Sequence, residues 1–141
     1  MMHTITFRAF GHQNVRSSHP TTIMITRDEH LTARGDCVVA VAAEASLSDL
    51  PEEMKEVARA RDAAITLIIE VGQLSFTVTG RGHPSLSYSS ASDMVARKSL
   101  YTCGRTLMVE ADKAACDLPR EMVRLLQSPS SEIRVTLKVQ R

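Results

Sequence analysis

The chain has 141 residues, long enough for one domain to bury a hydrophobic core without disulfides. Hydrophobic residues make up 43% and charged residues 23%, which excludes a disordered chain, and a formal net charge of +1 excludes bulk attraction to nucleic acid or membranes. No apolar run reaches the roughly 18 residues of a membrane span, and the first residues lack the apolar block of a signal peptide. We therefore expect one cytoplasmic domain, residues 1–141, with no membrane partner.

The predicted elements form two series, each of three strands, a helix and a fourth strand. Alternating apolar residues predict the strands of the first series near Thr4–Phe10, Thr21–Thr26, Cys37–Ala42 and Ala64–Val71. Those of the second series fall near Leu74–Thr79, Ser85–Ser89, Arg105–Ala111 and Ile133–Val139. A capping aspartate and a first-turn proline predict the start of each helix, at Asp49-Leu50-Pro51 and at Asp117-Leu118-Pro119.

An internal repeat accounts for the two series. The segment "SDLPEEMKEV" (Ser48–Val57) recurs 68 residues later as "CDLPREMVRL" (Cys116–Leu125). Two weaker matches precede it, with "TFRAFG" resembling "SFTVTG" at a shift of 69 and "SHPTT" resembling "GHPSL" at a shift of 64. We interpret the chain as two repeats, about 4–72 and 74–140.

The repeat predicts the fold class. The chain is expected to be mainly β (α+β by content), with duplicated β-β-β-α-β units that share one core because neither could bury its strand faces alone. Eight strands then form either a sandwich or a closed barrel, and two short helices cover its ends.

Three stretches carry a resemblance to a known family: "GHQNVRSSH", "LTARGDCVVAV" and "MVARKSLYTCGRTLMVEADKAACDL". They resemble an archaeal family of small proteins classed as domain of unknown function 371, and the likeness covers nearly the whole chain. The resemblance implies an archaeal cytoplasmic protein with a mainly β, jelly-roll-like or barrel-like domain. It implies no activity.

Two histidines, His12 and His19, lie seven residues apart in a stretch without apolar periodicity. The match of "SHPTT" to "GHPSL" pairs His19 with His83, which favours a structural role for His19 as donor to a backbone carbonyl. His12 is left without a counterpart and is the candidate general base. No metal site is predicted, because the spacing matches no zinc motif, although His12 and His19 are the residues that would enter one.

The turn "LTARGDC" before the third strand holds a second candidate, Asp36. Its carboxylate is either a catalytic acid or, as the residue types favour, a lock that accepts turn amides beside a positive-φ Gly35. The three cysteines are scattered, so neither a disulfide framework nor a zinc ribbon is predicted.

The long connection "SASDMVARKSLYTCGR" (Ser90–Arg105) departs most from the repeat and concentrates cations. Guanidinium and ammonium groups beside a hydroxyl suit a phosphate or carboxylate. The candidate ligand-binding residues are Arg34, Arg97, Lys98, Ser99, Arg105 and Lys113. The alternative is a solvated loop whose cations pair with Asp93, Glu110 and Asp112.

Three functions stay open, and whether the protein is an enzyme is not decided by the residues. The leading one is a binding module for a small anionic ligand or, with less support from only 4% aromatic residues, a nucleic-acid backbone. The others are a hydrolase or transferase on a phosphorylated metabolite, with His12 as base, and a structural or assembly protein without a ligand. No nucleotide-binding or metalloprotease motif is present, so the sequence identifies no cofactor.

Overall fold

The computed structural model describes residues 1–141 and is mainly β, as the sequence predicts. The first half contains β1 (Met2–Phe10), β2 (Thr22–Thr26), β3 (Val38–Ala40), α1 (Glu52–Ala58) and β4 (Ala64–Val71). The second half contains β5 (Leu74–Arg81), β6 (Asp93–Arg97), β7 (Thr106–Met108), α2 (Arg120–Leu126) and β8 (Glu132–Gln140). One turn of 3-10 helix precedes each α-helix, at Leu47–Asp49 and Ala115–Asp117.

Four strands form an antiparallel sheet, sheet A, in the order β1-β8-β4-β5. One row across it runs Ile5, Leu137, Leu67, Val78, and all but Ile5 are completely buried. Alternate residues of each strand face the core and the rest face solvent, which is the pattern of a sheet covered on one side.

The other four strands form sheet B, in the order β3-β2-β6-β7. Its central pair, β2 and β6, is antiparallel, whereas β3 and β7 run parallel to their neighbours. Successive residues Ile23, Met24 and Ile25 are all buried, so both faces of this sheet are covered.

Forty buried residues from both sheets and both helices form one hydrophobic cluster. Strand pairing between the two sheets is limited to two isolated bridges, Phe10 with Val41 and Arg81 with Val109, so the sheets do not join into a closed barrel and that alternative is wrong. Neither helix is long and apolar enough to cross a membrane.

The two halves have the same order of elements, and several backbone contacts of the first half have an equivalent in the second. The amide of Phe10 donates to Val41 O at 2.8 Å, and the amide of Arg81 donates to Val109 O at the same distance. Ala42 and Glu110, one residue after each bridge, both have a φ of 52°. These contacts match β1 to β5 at a shift of 71 residues, so the shift of 69 predicted for this pair is wrong by two residues.

The strand predicted at Ser85–Ser89 is also wrong. Tyr88 has a φ of 50°, outside the extended region, and no ladder forms there. The second strand of this half is β6, which lies within the segment predicted to be a long connection. Its apolar centre, Met94-Val95-Ala96, is buried on both faces and therefore lacks the alternation that marks a half-exposed strand.

The helices begin two to three residues later than predicted, because Asp49 and Asp117 do not cap them. Each carboxylate closes the preceding 3-10 turn, where Asp49 Oδ2 accepts the Ser46 amide at 2.9 Å and Asp117 Oδ2 accepts the Ala114 amide at 2.8 Å. The prolines hold the N-cap position of both α-helices.

Candidate functional site

His12 fastens the loop after β1 to the end of α2. Its amide donates to Leu126 O at 2.9 Å, and its ring Nδ1 accepts the Asn14 amide at 3.0 Å. His83 repeats both contacts, with its amide on Ala58 O at the end of α1 and its Nδ1 accepting a backbone amide at 3.0 Å. The structural counterpart of His83 is therefore His12, and the predicted pairing of His83 with His19 is wrong.

His19 serves the start of β2. Its Nδ1 accepts the amides of Thr21 and Thr22, at 3.2 and 3.1 Å, so the ring accepts from backbone amides rather than donating to a carbonyl. No three histidine, cysteine or acidic side chains lie close enough together to hold a metal ion.

The turn before β3 differs from its predicted form. Gly35 does not have a positive φ. A Cβ at this position would lie 2.6 Å from Leu31 Cδ1, so a larger residue requires the Leu31 side chain to shift. The Asp36 carbonyl, not its carboxylate, accepts amides, those of Ser18 and His19. Arg34 is exposed and makes no ion pair within this turn.

Arg97, the last residue of β6, is held on the outer face of sheet B by three uncharged partners. Its Nε donates to Thr106 Oγ1 at 2.9 Å and its Nη2 donates to Cys103 Sγ at 3.5 Å. The guanidinium lies 4.9 Å from the centroid of the Tyr101 ring. No carboxylate lies within ion-pair distance of this half-buried cation.

Arg105 crosses from the second half of the chain to the first. Its Nε pairs with Asp93 Oδ2 at 2.9 Å, and its Nη2 lies 3.2 Å from Met24 Sδ. Asp93 also accepts the Thr26 hydroxyl at 2.7 Å, which anchors the pair to β2. Arg105 and Arg97 therefore border the same outer face, whose centre is the neighbouring pair Met24 and Val95.

The other candidate cations have internal partners. Lys98 Nζ lies 3.6 Å from Asp117 Oδ2. Lys113 Nζ donates to Thr77 O at 2.7 Å, on the edge of sheet A. The Ser99 hydroxyl accepts the Tyr101 amide at 3.3 Å within its own loop.

The two half-buried cysteines on this side of the molecule differ in acidity. Burial raises the pKa of the Cys37 thiol, against smaller lowering effects that include Arg105. Burial also opposes ionisation of Cys103, but hydrogen bonds from the Arg105 amide, Thr106 and Arg97 outweigh it and lower the pKa of that thiol.

The structure thus places Arg97 and Arg105 on the same face of sheet B and Lys113 on the edge of sheet A. Four open depressions of about 310–390 Å³ lie on the surface, and none is lined by His12, Arg97 or Arg105. Sequence reasoning missed Thr106 and Cys103 as the groups that orient Arg97. Their signal is the spacing "R-x5-C-x2-T", which has meaning only once β6 and β7 are known to be neighbours.

The chain is thus a mainly β protein of two sheets, one of which bears arginines on its outer face. The model of the family described as Domain of unknown function (DUF371) matches residues 7–140, and the chain belongs to this family. An uncharacterised protein of the archaeon Methanocaldococcus jannaschii is 42% identical over 121 residues, which are 85% of this chain and 88% of that relative.

Proposed function

We propose that the protein binds a small anionic ligand, bearing a phosphate or a carboxylate, at Arg97 on the outer face of sheet B. The observation that carries the proposal is the lack of any carboxylate partner for this guanidinium, although Lys98, Arg105 and Lys113 each have one within 3.9 Å. A half-buried, uncompensated arginine is a favourable place for an external anion.

The contacts of Arg97 also leave it capable of binding. Of its five N–H donors, one is directed to Thr106 and another to Cys103, and the remaining donors form part of the fork that fits an oxyanion. Stacking on Tyr101 restricts the side chain, which reduces the entropy lost when a ligand binds. Arg105 borders the same face and is 49% exposed along its side chain, but its pairing with Asp93 and that of Lys98 with Asp117 leave Arg97 as the uncompensated cation of this site.

A nucleic-acid backbone presents the same phosphate chemistry and is tested alongside the small ligand. Tyr101 is 60% exposed and its neighbour Leu100 59%, so the loop offers one accessible ring beside the guanidinium. A single aromatic platform adds about 1–3 kcal/mol per stacked base. The favoured ligand stays the small anion, because one ring does not form a track for successive bases.

The test compares phosphate with chloride at equal ionic strength. We expect phosphate to raise the melting temperature of the wild-type protein more than chloride does, and calorimetry to detect phosphate binding. Arg97→Lys retains the charge but loses the fork, and we expect binding about tenfold weaker. Arg97→Ala combined with Arg105→Ala should abolish it.

Arg124→Ala is the matched control, because Arg124 is exposed on α2 and forms no ion pair. It should bind phosphate as the wild type does. Circular dichroism confirms that the double variant is folded, and retained affinity in that folded variant contradicts the proposal. Fluorescence polarisation of a labelled single-stranded oligonucleotide separates the two ligand sources. Binding of the oligonucleotide that phosphate displaces indicates a nucleic-acid backbone at this site, and phosphate binding without oligonucleotide binding indicates a small anion.

Catalysis by His12 is not part of the proposed function. No hydrogen bond or ion pair joins His12 to Arg97 or Arg105, and both ring and amide of His12 have structural contacts. A general base needs a reacting group within hydrogen-bond distance, and nothing in these contacts favours one.

We also propose that the chain arose by duplication of one β-β-β-α-β unit, which now forms a jelly-roll-like sandwich. The matching contacts of His12 and His83, and of Phe10 and Arg81, support it. So does the equal closure of both 3-10 turns by an aspartate. The two halves, produced as separate polypeptides and then mixed, should regain the folded state if each half is a complete unit.

A further inference from the structure

The two edges of sheet A allow a comparison within one molecule. β1 forms one edge and β5 the other, and the bridges place Phe10 and Arg81 at equivalent positions. In an antiparallel sheet, alternate residues of an edge strand direct their backbone N–H and C=O groups away from the sheet. On β5 these include Ser75, Thr77 and Thr79, and on β1 they include Met2, Thr4, Thr6 and Arg8.

The β5 edge is closed at Thr77 and Thr79 by residues of the second half. Asp112 Oδ1 accepts the Thr79 amide at 2.8 Å, and the Asp112 amide donates to Thr79 O. Lys113 Nζ then donates to Thr77 O at 2.7 Å and lies 5.4 Å from the Phe76 ring centroid. A lysine on an edge strand is a common protection against pairing with another strand.

The β1 edge is closed over only part of its length. Glu44 Oε1 accepts the Arg8 amide at 2.9 Å, as Asp112 does for Thr79. The residue that follows is Ala45, which has no group to reach Thr6 O. Thr4 and Thr6 are exposed and have no hydrogen bond on their outward backbone groups. Ile5, which occupies the position of Phe76, is only partly buried.

We propose that this open edge pairs with the same edge of a second copy of the chain, β1 against β1 and antiparallel. Glu44 already bonds both the amide and the carbonyl of Arg8. The pairing register that uses only unbonded outward backbone groups is therefore centred on Thr4. Thr4 then faces Thr4 of the other copy, and Met2 faces Thr6. These pairs form about six backbone hydrogen bonds around a two-fold axis.

The chemistry of the edge favours a second copy over an unrelated strand. Met2, Thr4 and Thr6 carry no charge, so self-pairing places no like charges opposite each other. The Thr4-centred register leaves both Arg8 side chains outside the paired segment. Met2, 58% exposed, gains a neighbour, and the half-covered Ile5 of each copy is shielded.

The test measures molar mass by light scattering and sedimentation over a concentration series of the full chain. We expect the wild-type mass to approach twice 15.5 kDa as concentration rises. Ala45→Lys supplies the closure seen on β5 and should weaken self-association at least about tenfold. Thr4→Pro removes one outward amide without touching the ladder to β8 and should have the same effect.

Ser75→Pro is the matched control, because Ser75 holds the position on β5 that Thr4 holds on β1, on an edge where Lys113 bonds the next outward residue, Thr77. It should leave the dimer unchanged. Lys113→Ala opens the second edge and should produce species larger than a dimer. Hydrogen exchange at Thr4 and Thr6 should slow as the protein is concentrated.

Two results overturn the inference. One is a wild-type protein that stays monomeric over the whole concentration range, which is also the result expected if the β1 edge pairs with a different protein. The other is a dimer whose mass neither Ala45→Lys nor Thr4→Pro reduces, which means that a different surface forms it. Phosphate binding at Arg97 is not required for either outcome, so this test is independent of the proposed ligand.

Discussion

Replacing Tyr88 by phenylalanine tests how the irregular segment between β5 and β6 is held. Tyr88 is completely buried, and its hydroxyl donates to Leu107 O in β7 at 2.7 Å. Tyr88→Phe keeps the ring and removes the donor, so the Leu107 carbonyl loses this partner inside the core. Leaving a buried acceptor unsatisfied costs about 1–3 kcal/mol of unfolding free energy. For a chain of this length the melting temperature should fall by about 3–10 °C.

The same residue gives the stability a pH dependence of known sign. Burial raises the pKa of the Tyr88 phenol far above its ordinary value of 10.0, and Arg59 opposes this only partly. The unfolded chain therefore releases this proton at a lower pH than the folded chain does. The contribution to stability is fully present below about pH 10 and is lost as the pH rises further. Tyr88→Phe should lack this alkaline loss.

The assay is urea unfolding of both proteins at neutral pH and above pH 10, followed by circular dichroism. Tyr101→Phe is the control, because Tyr101 is 60% exposed and should change the unfolding free energy by less than about 0.5 kcal/mol. A Tyr88→Phe protein as stable as the wild type at neutral pH would show that the hydroxyl bond does not hold this segment. Equal alkaline destabilisation of the two proteins would contradict the assignment of the titrating group.

Three further predictions concern packing and acidity. Gly82→Ala places a Cβ 2.2 Å from Ala58 O, so backbone must shift, and urea unfolding should show a loss of about 2 kcal/mol or more. Met54→Ala, at a core position of α1, should cost about 2–5 kcal/mol in the same assay, whereas truncation of exposed residues on that helix should cost little. Arg97→Ala should raise the pKa of the Cys103 thiol, because it removes a hydrogen bond and a positive charge. In a protein whose other two cysteines are replaced by serine, the pH profile of thiol alkylation should then move to higher pH. An unchanged profile contradicts the contact between Arg97 and Cys103.

Some of the fold could be predicted because it depends on local periodicity. β4 and β8 alternate apolar and polar residues along their whole length, and they lie at the centre of sheet A with one face in the core. The helices follow from prolines and apolar spacing, and both lie where expected to within three residues. These features are read from neighbouring residues, so no tertiary information is needed.

β6 could not be predicted in the same way, because its environment is set by other parts of the chain. Both of its faces are covered, so its buried centre does not alternate, whereas "SLSYS" (Ser85–Ser89) alternates without forming a ladder. The positive φ of Tyr88 and the hydroxyl bond to β7 hold that segment in place. Tertiary contacts, rather than β-propensity and apolar alternation, decide which of these two segments forms a strand.

The candidate site could likewise be predicted only in part. The residue types alone establish which side chains are cationic and that they cluster in the chain near Arg97 and Arg105. The pairing of Arg105 with Asp93, the closure of a sheet edge by Lys113, and the lack of a carboxylate partner for Arg97 emerge only from the folded chain. Charge is a property of each side chain, whereas its compensation depends on which groups folding brings within a few ångströms.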